Sequence, residues 1–271
     1  MKPVAFDYSR PASVAEALRM LAEQPEAKVL AGGQTLGPML NLRLAQPALL
    51  VDITRIPELA AVSEDADAVS IGATVTHAAI EDGRVPDPTG GFLARVARGI
   101  AYRAVRTRGT IGGSLAHADP AADWLTALAA LGAQVVIAGP AGSRRVNVTD
   151  FVRGALQADL ADDEIITGVR VFKFSRAARF GFHKICRKTG EFAEAIGAVV
   201  EDPEHGYFCA VAGATSGPPL IMEMRVAPGP KSITLKEAQT LLKLVRFSGD
   251  DYELKVHAVA LRRAYEAAYA P

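Results

Sequence analysis

The sequence predicts an α+β protein of three consecutive units, because strand and helix signals both recur along its 271 residues. A chain of this length exceeds the roughly 150 residues that one compact domain usually needs. Strand and helix signals alternate through the first two units, whereas a hairpin followed by helices fills the third. We therefore expect units at residues 1–54, 55–175 and 176–271, the last with a small antiparallel sheet and helices.

The first unit contains a helix between strands. Ser13 is a suitable N-cap, Glu16 follows it as in a capping box, and apolar residues then recur at helical spacing up to Pro25. The segment Lys28–Ala31 has the composition of a short buried strand and leads directly into two glycines. A second strand is predicted at Ala48–Ile53.

The second unit contains further strands and longer helices. Its β-branched residues predict a strand at Val69–His77 that continues into a short helix, and prolines and glycines predict a loop at Gly83–Gly91. One helix is predicted over Phe92–Val105, with an apolar stripe towards the core and arginines on the other face. A solvated face is the favoured interpretation of these arginines, ahead of a nucleic-acid patch. The remaining predicted elements are a buried helix, Trp124–Leu131, and two strands, Ala133–Gly139 and Ile165–Phe174.

The third unit contains a hairpin and two helices. Strand signals stand on both sides of the turn at Asp202–Gly206, which predicts an antiparallel pair. The segments Leu235–Val245 and Tyr252–Tyr269 are amphipathic and could cover one face of that sheet.

Composition excludes several classes of function. Thirty basic residues balance thirty acidic ones, so the net charge favours neither nucleic acid nor an anionic membrane. The N-terminus lacks the apolar core of a signal peptide, and no apolar run approaches the ~20 residues that span a bilayer, so a cytoplasmic protein is expected. The two cysteines, Cys186 and Cys209, are isolated, which argues against an iron–sulfur or zinc site in this chain.

Two glycine-containing segments carry the strongest functional signal. In Arg108–Trp124, Gly112 and Gly113 have no side chains to keep an anion away from nearby backbone N–H groups. Ala31–Thr35 is a similar segment, entered from a strand and closed as a turn by Gly37–Pro38. Two such turns favour a diphosphate held from both sides, although each could also be only a structural turn.

Other residues around the second segment bear on its ligand. Asp119 and Asp123 accept hydrogen bonds only, which suits sugar hydroxyls. His117 could touch a ligand or make a local hydrogen bond. The chain lacks the GxGxxG and GxxxxGK[ST] phosphate motifs, the HExxH zinc motif and the GxSxG nucleophile motif. Neither a metal site nor a catalytic side chain is therefore predicted.

Four ordered motifs carry a family resemblance: AGGQTLGPMLNLRLAQPALLVDI, GATVTHAAI, AYRAVRTRGTIGGSLAHADPAADW and FHKICRKTGEFAEA. Together they resemble the FAD-binding (medium) subunit of the molybdenum hydroxylases, in register from about Phe6 to Val200. The resemblance implies a flavin-binding fold of the vanillyl-alcohol oxidase type in two subdomains, followed by a C-terminal domain. The segment at residues 213–230 matches only loosely.

The resemblance also implies a non-covalent FAD site. It places the diphosphate between the two glycine-containing segments, a ribose hydroxyl on Asp123, and Ile166 and Lys184 near the flavin. For Lys184 the alternative is an ordinary surface ammonium. Phe192 stands where relatives often carry Tyr or Trp. The residues implied to bind FAD are Ala31, Gly32, Gly33, Gln34, Thr35, Leu36, Ile100, Thr110, Ile111, Gly112, Gly113, Ser114, Asp123, Ile166 and Lys184.

By the same resemblance, molybdopterin and [2Fe–2S] clusters are expected on a large and a small partner subunit, in a dimer of heterotrimers. The chain would take electrons from a cluster and pass them through FAD to a quinone, NAD or oxygen. A flavin-free interaction subunit and a stand-alone flavin oxidoreductase are the alternatives. The substrate of the assembled enzyme stays open among carbon monoxide, N-heteroaromatic compounds and purines.

Overall fold

The computed structural model describes residues 2–223 and 233–270. Helices and strands are mixed throughout this part of the chain, which confirms the predicted α+β class. The strands are β1 (Asp7–Ser9), β2 (Lys28–Leu30), β3 (Leu49–Asp52), β4 (Val62–Glu64), β5 (Ala68–Gly72), β6 (Gln134–Gly139), β7 (Gly142–Asn147), β8 (Val152–Gly154), β9 (Gln157–Ala158), β10 (Ile165–Phe172), β11 (Arg179–Ile185), β12 (Ala195–Asp202), β13 (Tyr207–Gly213) and β14 (Leu220–Glu223). The helices are α1 (Val14–Glu23), α2 (Leu36–Asn41), α3 (Pro57–Ala60), α4 (His77–Glu81), α5 (Phe92–Gly99), α6 (Arg103–Arg106), α7 (Ile111–His117), α8 (Asp123–Ala130), α9 (Val148–Phe151), α10 (Leu235–Leu244) and α11 (Asp251–Ala268).

The N-terminal sheet is parallel and has the order β1-β3-β2. Helix α1 begins after Ser13, whose hydroxyl accepts a hydrogen bond from the backbone N–H of Glu16, so the predicted N-cap is confirmed. Ala17 and Leu21 of this helix are buried in the same apolar cluster as Val51 of β3. The sheet thereby holds the end of β2, where the first glycine-containing segment starts, in a fixed position.

The middle sheet is antiparallel, in the order β4-β5-β10-β6-β7. Its apolar residues share one core with α5, α7 and α8. The largest buried side chain of this core is Trp124. Strand β5 ends at Gly72, earlier than predicted, because the chain bends there. At the bend, the backbone of Gly72 packs so closely on Leu59 that an added Cβ would overlap the Leu59 carbonyl. His77 consequently begins α4 instead of ending a strand.

The prediction of one helix over Phe92–Val105 is wrong, because the chain breaks between α5 and α6. Ala101 lies at the break with a left-handed φ of 41°. The carbonyls of Ile100 and Ala101, freed from helical bonding, accept hydrogen bonds from the guanidinium of Arg106. Arg106 is itself buried and paired with Glu81, so at this position the predicted solvated face is also wrong.

The C-terminal sheet is antiparallel, in the order β11-β12-β13-β14, and includes the predicted hairpin. Helix α11 packs closely on β11 and β12. The approach is so close that an added Cβ at Gly181 or Gly197 would overlap the backbone of that helix. Helix α8 packs against β12 and β13. The loosely matching segment at residues 213–230 lies partly outside the described residues.

In the parts of the chain that the structure describes, no helix combines the length and the apolar character needed to cross a bilayer.

Candidate functional site

A cavity of about 660 Å³ lies between the two glycine-containing segments. This volume is within the range of sites that hold small molecules and cofactors. The predicted cofactor residues that line it are Ala31, Gly32, Gly33, Gln34, Thr35, Leu36, Ile100, Thr110, Gly112, Gly113, Ser114, Asp123, Ile166 and Lys184. Residues from all three predicted units therefore meet at one site.

The first segment presents free backbone donors to this cavity. Gly33 has a left-handed φ of 70°, which turns the chain from β2 towards α2. The N–H groups from Gly33 to Leu36 have no hydrogen-bond partner within residues 2–223 and 233–270. Gly37–Pro38 does not close a turn as predicted, because both residues lie in the first turn of α2. The segment thus combines a helix start with unpaired donors, a combination suited to an anion.

The two segments are in direct contact. A Cβ atom added at Gly32 would lie 2.1 Å from the carbonyl oxygen of Arg108 and 2.8 Å from the Cα atom of Gly109. No side chain fits in that space. Glycine at position 32 therefore allows the backbones to approach closely enough to form one cavity wall.

The second segment differs from its prediction, because Gly112 and Gly113 lie in the first turn of α7 and not in a loop. The N–H of Gly112 donates to the carbonyl of Ala73, and that of Gly113 donates to the hydroxyl of Thr110, the N-cap. These donors are used inside the protein and are not free for a phosphate. The hydroxyl groups of Thr110 and Ser114, which line the cavity, are still available as donors from this segment.

Asp123 and Lys184 form an ion pair in the cavity wall. The Lys184 Nζ atom lies 3.0 Å from Oδ1 of Asp123 and also donates to the carbonyl of Gly99. The two side chains are only 8% and 11% exposed, so the alternative of a surface ammonium is wrong. Burial raises the pKa of Asp123 above its ordinary value, and the charge of Lys184 opposes that shift.

This pair changes one detail of the expected site. The resemblance assigned Asp123 to a ribose of the adenosine half and Lys184 to the flavin. Because the two side chains touch, they line the same part of the cavity, and they would not lie at opposite ends of an extended dinucleotide. Oδ1 of Asp123 is buried and has no well-oriented hydrogen-bond donor among the described groups, which leaves it able to accept one from a ligand.

Ile111 does not belong to the cavity. Its side chain is completely buried in the core of the middle unit, so the structure does not bring it together with the other predicted site residues. The helix start explains this position: Ile111 directly follows the N-cap and faces the sheet, whereas Thr110 and Gly113 face the first segment. Ile100 reaches the cavity from the break after α5, and Ile166 reaches it from an irregularity in β10.

Several cavity residues were not predicted from the sequence. His77 lies in the motif GATVTHAAI, which carried the resemblance without a role for the histidine. Leu156 and Leu160 form an apolar wall, and Phe192 lines the cavity while 69% exposed. A histidine at the end of a predicted strand was the available signal for His77. For the leucines no local signal distinguishes a cavity wall from ordinary core.

The donor set suits a dinucleotide. Neutral N–H and hydroxyl groups at the junction of the segments match phosphate oxygens, and a buried carboxylate oxygen matches a hydroxyl hydrogen. The apolar walls match aromatic rings. FAD contains all three kinds of group, so the residues present fit it.

Comparisons with known proteins agree with this geometry. Residues 4–172 match the family described as "FAD binding domain in molybdopterin dehydrogenase". The caffeine dehydrogenase subunit beta of Pseudomonas sp. (strain CBB1) is 38% identical over 202 residues, covering 74% of this chain and 68% of its own. The carbon monoxide dehydrogenase medium chain of Afipia carboxidovorans is 33% identical over 285 residues, covering 100% and 99%. A chain of the carbon monoxide dehydrogenase structure from Hydrogenophaga pseudoflava superposes with a TM-score of 0.88 at 32% identity, covering 99% of both chains.

Proposed function

We propose an electron-transfer role for this chain, which belongs to the FAD-binding medium subunits of the molybdopterin dehydrogenase family. In this proposal the chain accepts electrons from a [2Fe–2S] cluster on a small partner subunit and passes them to an external acceptor. The single observation that carries it is the contact between the two glycine-containing segments, which builds one cavity with a diphosphate-binding donor set.

We assign the diphosphate of FAD to the junction of the segments. The unpaired N–H groups from Gly33 to Leu36 would donate to it from one side and the hydroxyls of Thr110 and Ser114 from the other. The buried oxygen of Asp123 would accept from a hydroxyl of FAD, with Lys184 holding the carboxylate in place. These contacts support non-covalent binding.

Bound FAD supplies a redox group that can exchange electrons with a metal cluster. The chain's own residues then have to bind, orient and partly enclose it. Residues that move protons are not required for this role, which agrees with a cavity wall made of backbone N–H groups, hydroxyls and apolar side chains. Substrate oxidation is assigned to molybdopterin on a large partner subunit.

The wider assembly is part of the same proposal. Relatives are named as a medium chain and as a subunit, which supports small and large partners here. The dimer of heterotrimers is proposed from the family resemblance alone. Quinone, NAD and oxygen are the candidate acceptors. The fold is assigned to the vanillyl-alcohol oxidase type, with FAD-binding subdomains at 1–54 and 55–175 and a C-terminal domain at 176–271.

Reduction by a partner tests this proposal. The chain is coexpressed with a small [2Fe–2S] subunit from the same organism, the complex is loaded with FAD, and the cluster is reduced chemically in the absence of oxygen. We expect the absorbance of oxidised FAD to fall as the cluster is reoxidised and to return when an acceptor is added. An FAD signal that stays unchanged beside a reduced cluster would refute electron transfer. A chain that remains colourless with excess FAD would favour the flavin-free alternative.

A further inference from the structure

His77 lies in the cavity wall, although the electron-transfer role gives it no task. It begins α4 after Thr76, whose hydroxyl caps that helix, and its backbone N–H donates to the carbonyl of Gly109. The residue is 5% exposed. The ring is thus held at the junction of α4 with the second glycine-containing segment.

One edge of the His77 ring is fixed by Trp124. The indole Nε1–H of Trp124, which can only donate, lies 3.0 Å from Nδ1 of His77, and both groups are buried. Nδ1 must therefore accept. A neutral imidazole with an accepting Nδ1 carries its hydrogen on Nε2. The tautomer is decided by this single contact.

Burial also keeps the ring uncharged. Burial and then the positive charge of Arg106 lower the pKa of His77 to about 4. The side chain of Arg106 is itself paired with Glu81, which lies on the same helix as His77. At neutral pH the ring is a neutral group with one donor.

The opposite edge of the ring has no hydrogen-bond partner among the residues that the structure describes. Nε2 makes no hydrogen bond to any described group, and it lies against Gly109, where an added Cβ would be 2.9 Å from it. Gly109 and His77 both line the cavity, whereas Trp124 does not. Nε2 is not among the fully buried polar atoms that lack a partner, so its N–H is accessible from the cavity and can donate to an acceptor atom of a ligand placed there.

We propose that His77 is a neutral hydrogen-bond donor to bound FAD, with its Nε2–H directed at an acceptor atom of the cofactor by the Trp124 contact. This inference rests on the FAD site proposed above. It assigns His77 a positioning role that adds no charge to the site. Acceptor atoms occur in both the flavin and the diphosphate of FAD.

Two substitutions distinguish hydrogen-bond donation by Nε2 of His77 from the packing of its ring. His77→Asn places an amide oxygen near the position of Nδ1, so Trp124 keeps an acceptor, but the side chain cannot reach the position of Nε2. His77→Gln can place an amide N–H near that position. For FAD titrated into the full chain, we expect about a tenfold weaker Kd in His77→Asn, the effect of one hydrogen bond, and a Kd closer to wild type in His77→Gln.

Competing ligands locate the acceptor. ADP carries the diphosphate without the flavin, and riboflavin 5′-phosphate carries the flavin without ADP. A loss of affinity in His77→Asn for ADP places the contact at the diphosphate, and a loss restricted to riboflavin 5′-phosphate places it at the flavin half. Either result supports the proposal.

Two results would overturn it: His77→Asn binding FAD as tightly as wild type, or both variants losing affinity equally while keeping wild-type thermal stability. In the second case the ring would act through its shape. A wild-type chain that takes up no FAD would instead refute the proposed cofactor site itself, so the two failures are distinguishable.

Discussion

Lys184 Nζ lies 3.0 Å from Oδ1 of Asp123, and both side chains are almost fully buried in the cavity wall. The two residues come from the strand β11 and the helix α8. Their pairing joins the C-terminal sheet to the helix that follows the second glycine-containing segment. It also supplies the neutralising charge that lets a carboxylate stay in a poorly solvated place.

Removing the cation should destabilise the protein. Lys184→Met leaves the Asp123 carboxyl buried without its partner, and we expect the free energy of unfolding to fall by about 3 kcal/mol, as for other broken buried pairs. Urea unfolding of the FAD-free chain measures this change. The double variant Asp123→Asn with Lys184→Met should recover most of the loss, because no unpaired charge remains. A single variant as stable as wild type would contradict the pairing.

Gly32→Ala tests the contact between the two segments. Its Cβ would lie 2.1 Å from the carbonyl of Arg108, so the backbones must separate, and we expect a loss of about 2 kcal/mol in stability together with weaker FAD binding. Gly37→Ala is the matched control in the same segment, because nothing lies within 4 Å of its added Cβ. Alanine in that first helical turn should be neutral or stabilising by up to about 1 kcal/mol. Equal behaviour of the two variants, by unfolding and FAD titration, would argue against the close approach.

Thr110 should act both as a helix cap and as a donor. Thr110→Val removes the acceptor for the N–H of Gly113, and we expect about 1 kcal/mol lower stability of the FAD-free chain and a weaker Kd for FAD. Thr110→Ser keeps the hydroxyl and should preserve both properties. Thermal denaturation and FAD titration of the two variants provide the comparison. If valine and serine give the same Kd for FAD, the hydroxyl does not contact the cofactor.

His77 should make stability depend on pH. Its pKa in the folded chain is about 4, against 6.5 for an ordinary histidine, so the unfolded chain binds the proton first as the pH falls. The stabilisation is therefore complete above pH 6.5 and is lost between pH 6.5 and about pH 4, by about 3 kcal/mol.

The variant His77→Asn isolates this effect, because every carboxylate that titrates in the same range is present in both proteins. Free energies of unfolding for the FAD-free chains, measured across that pH range, should converge as the pH falls. Parallel curves would mean that His77 titrates normally in the folded protein.

Much of the fold follows from local signals. The cap at Ser13, the hairpin around Asp202–Gly206 and the two C-terminal helices were all predicted, because turn chemistry, caps and apolar spacing act over a few residues. The break at Ala101 was not predicted. It depends on the guanidinium of Arg106 and its pairing with Glu81, a contact outside any local window.

The candidate site, like the fold, could be predicted from the sequence only in part. The sequence by itself determined the α+β class, the family and most of the residues that line the cavity, since glycines and hydroxyl residues are recognisable in order along the chain. Only the tertiary structure decided which N–H groups are free: those from Gly33 to Leu36 have no partner among the described residues, whereas that of Gly112 donates to the carbonyl of Ala73. It also decided that Lys184 meets Asp123 and that Trp124 fixes the ring of His77. Burial and hydrogen-bond partners are set by residues far apart in the chain, and a linear pattern does not specify which of them come together.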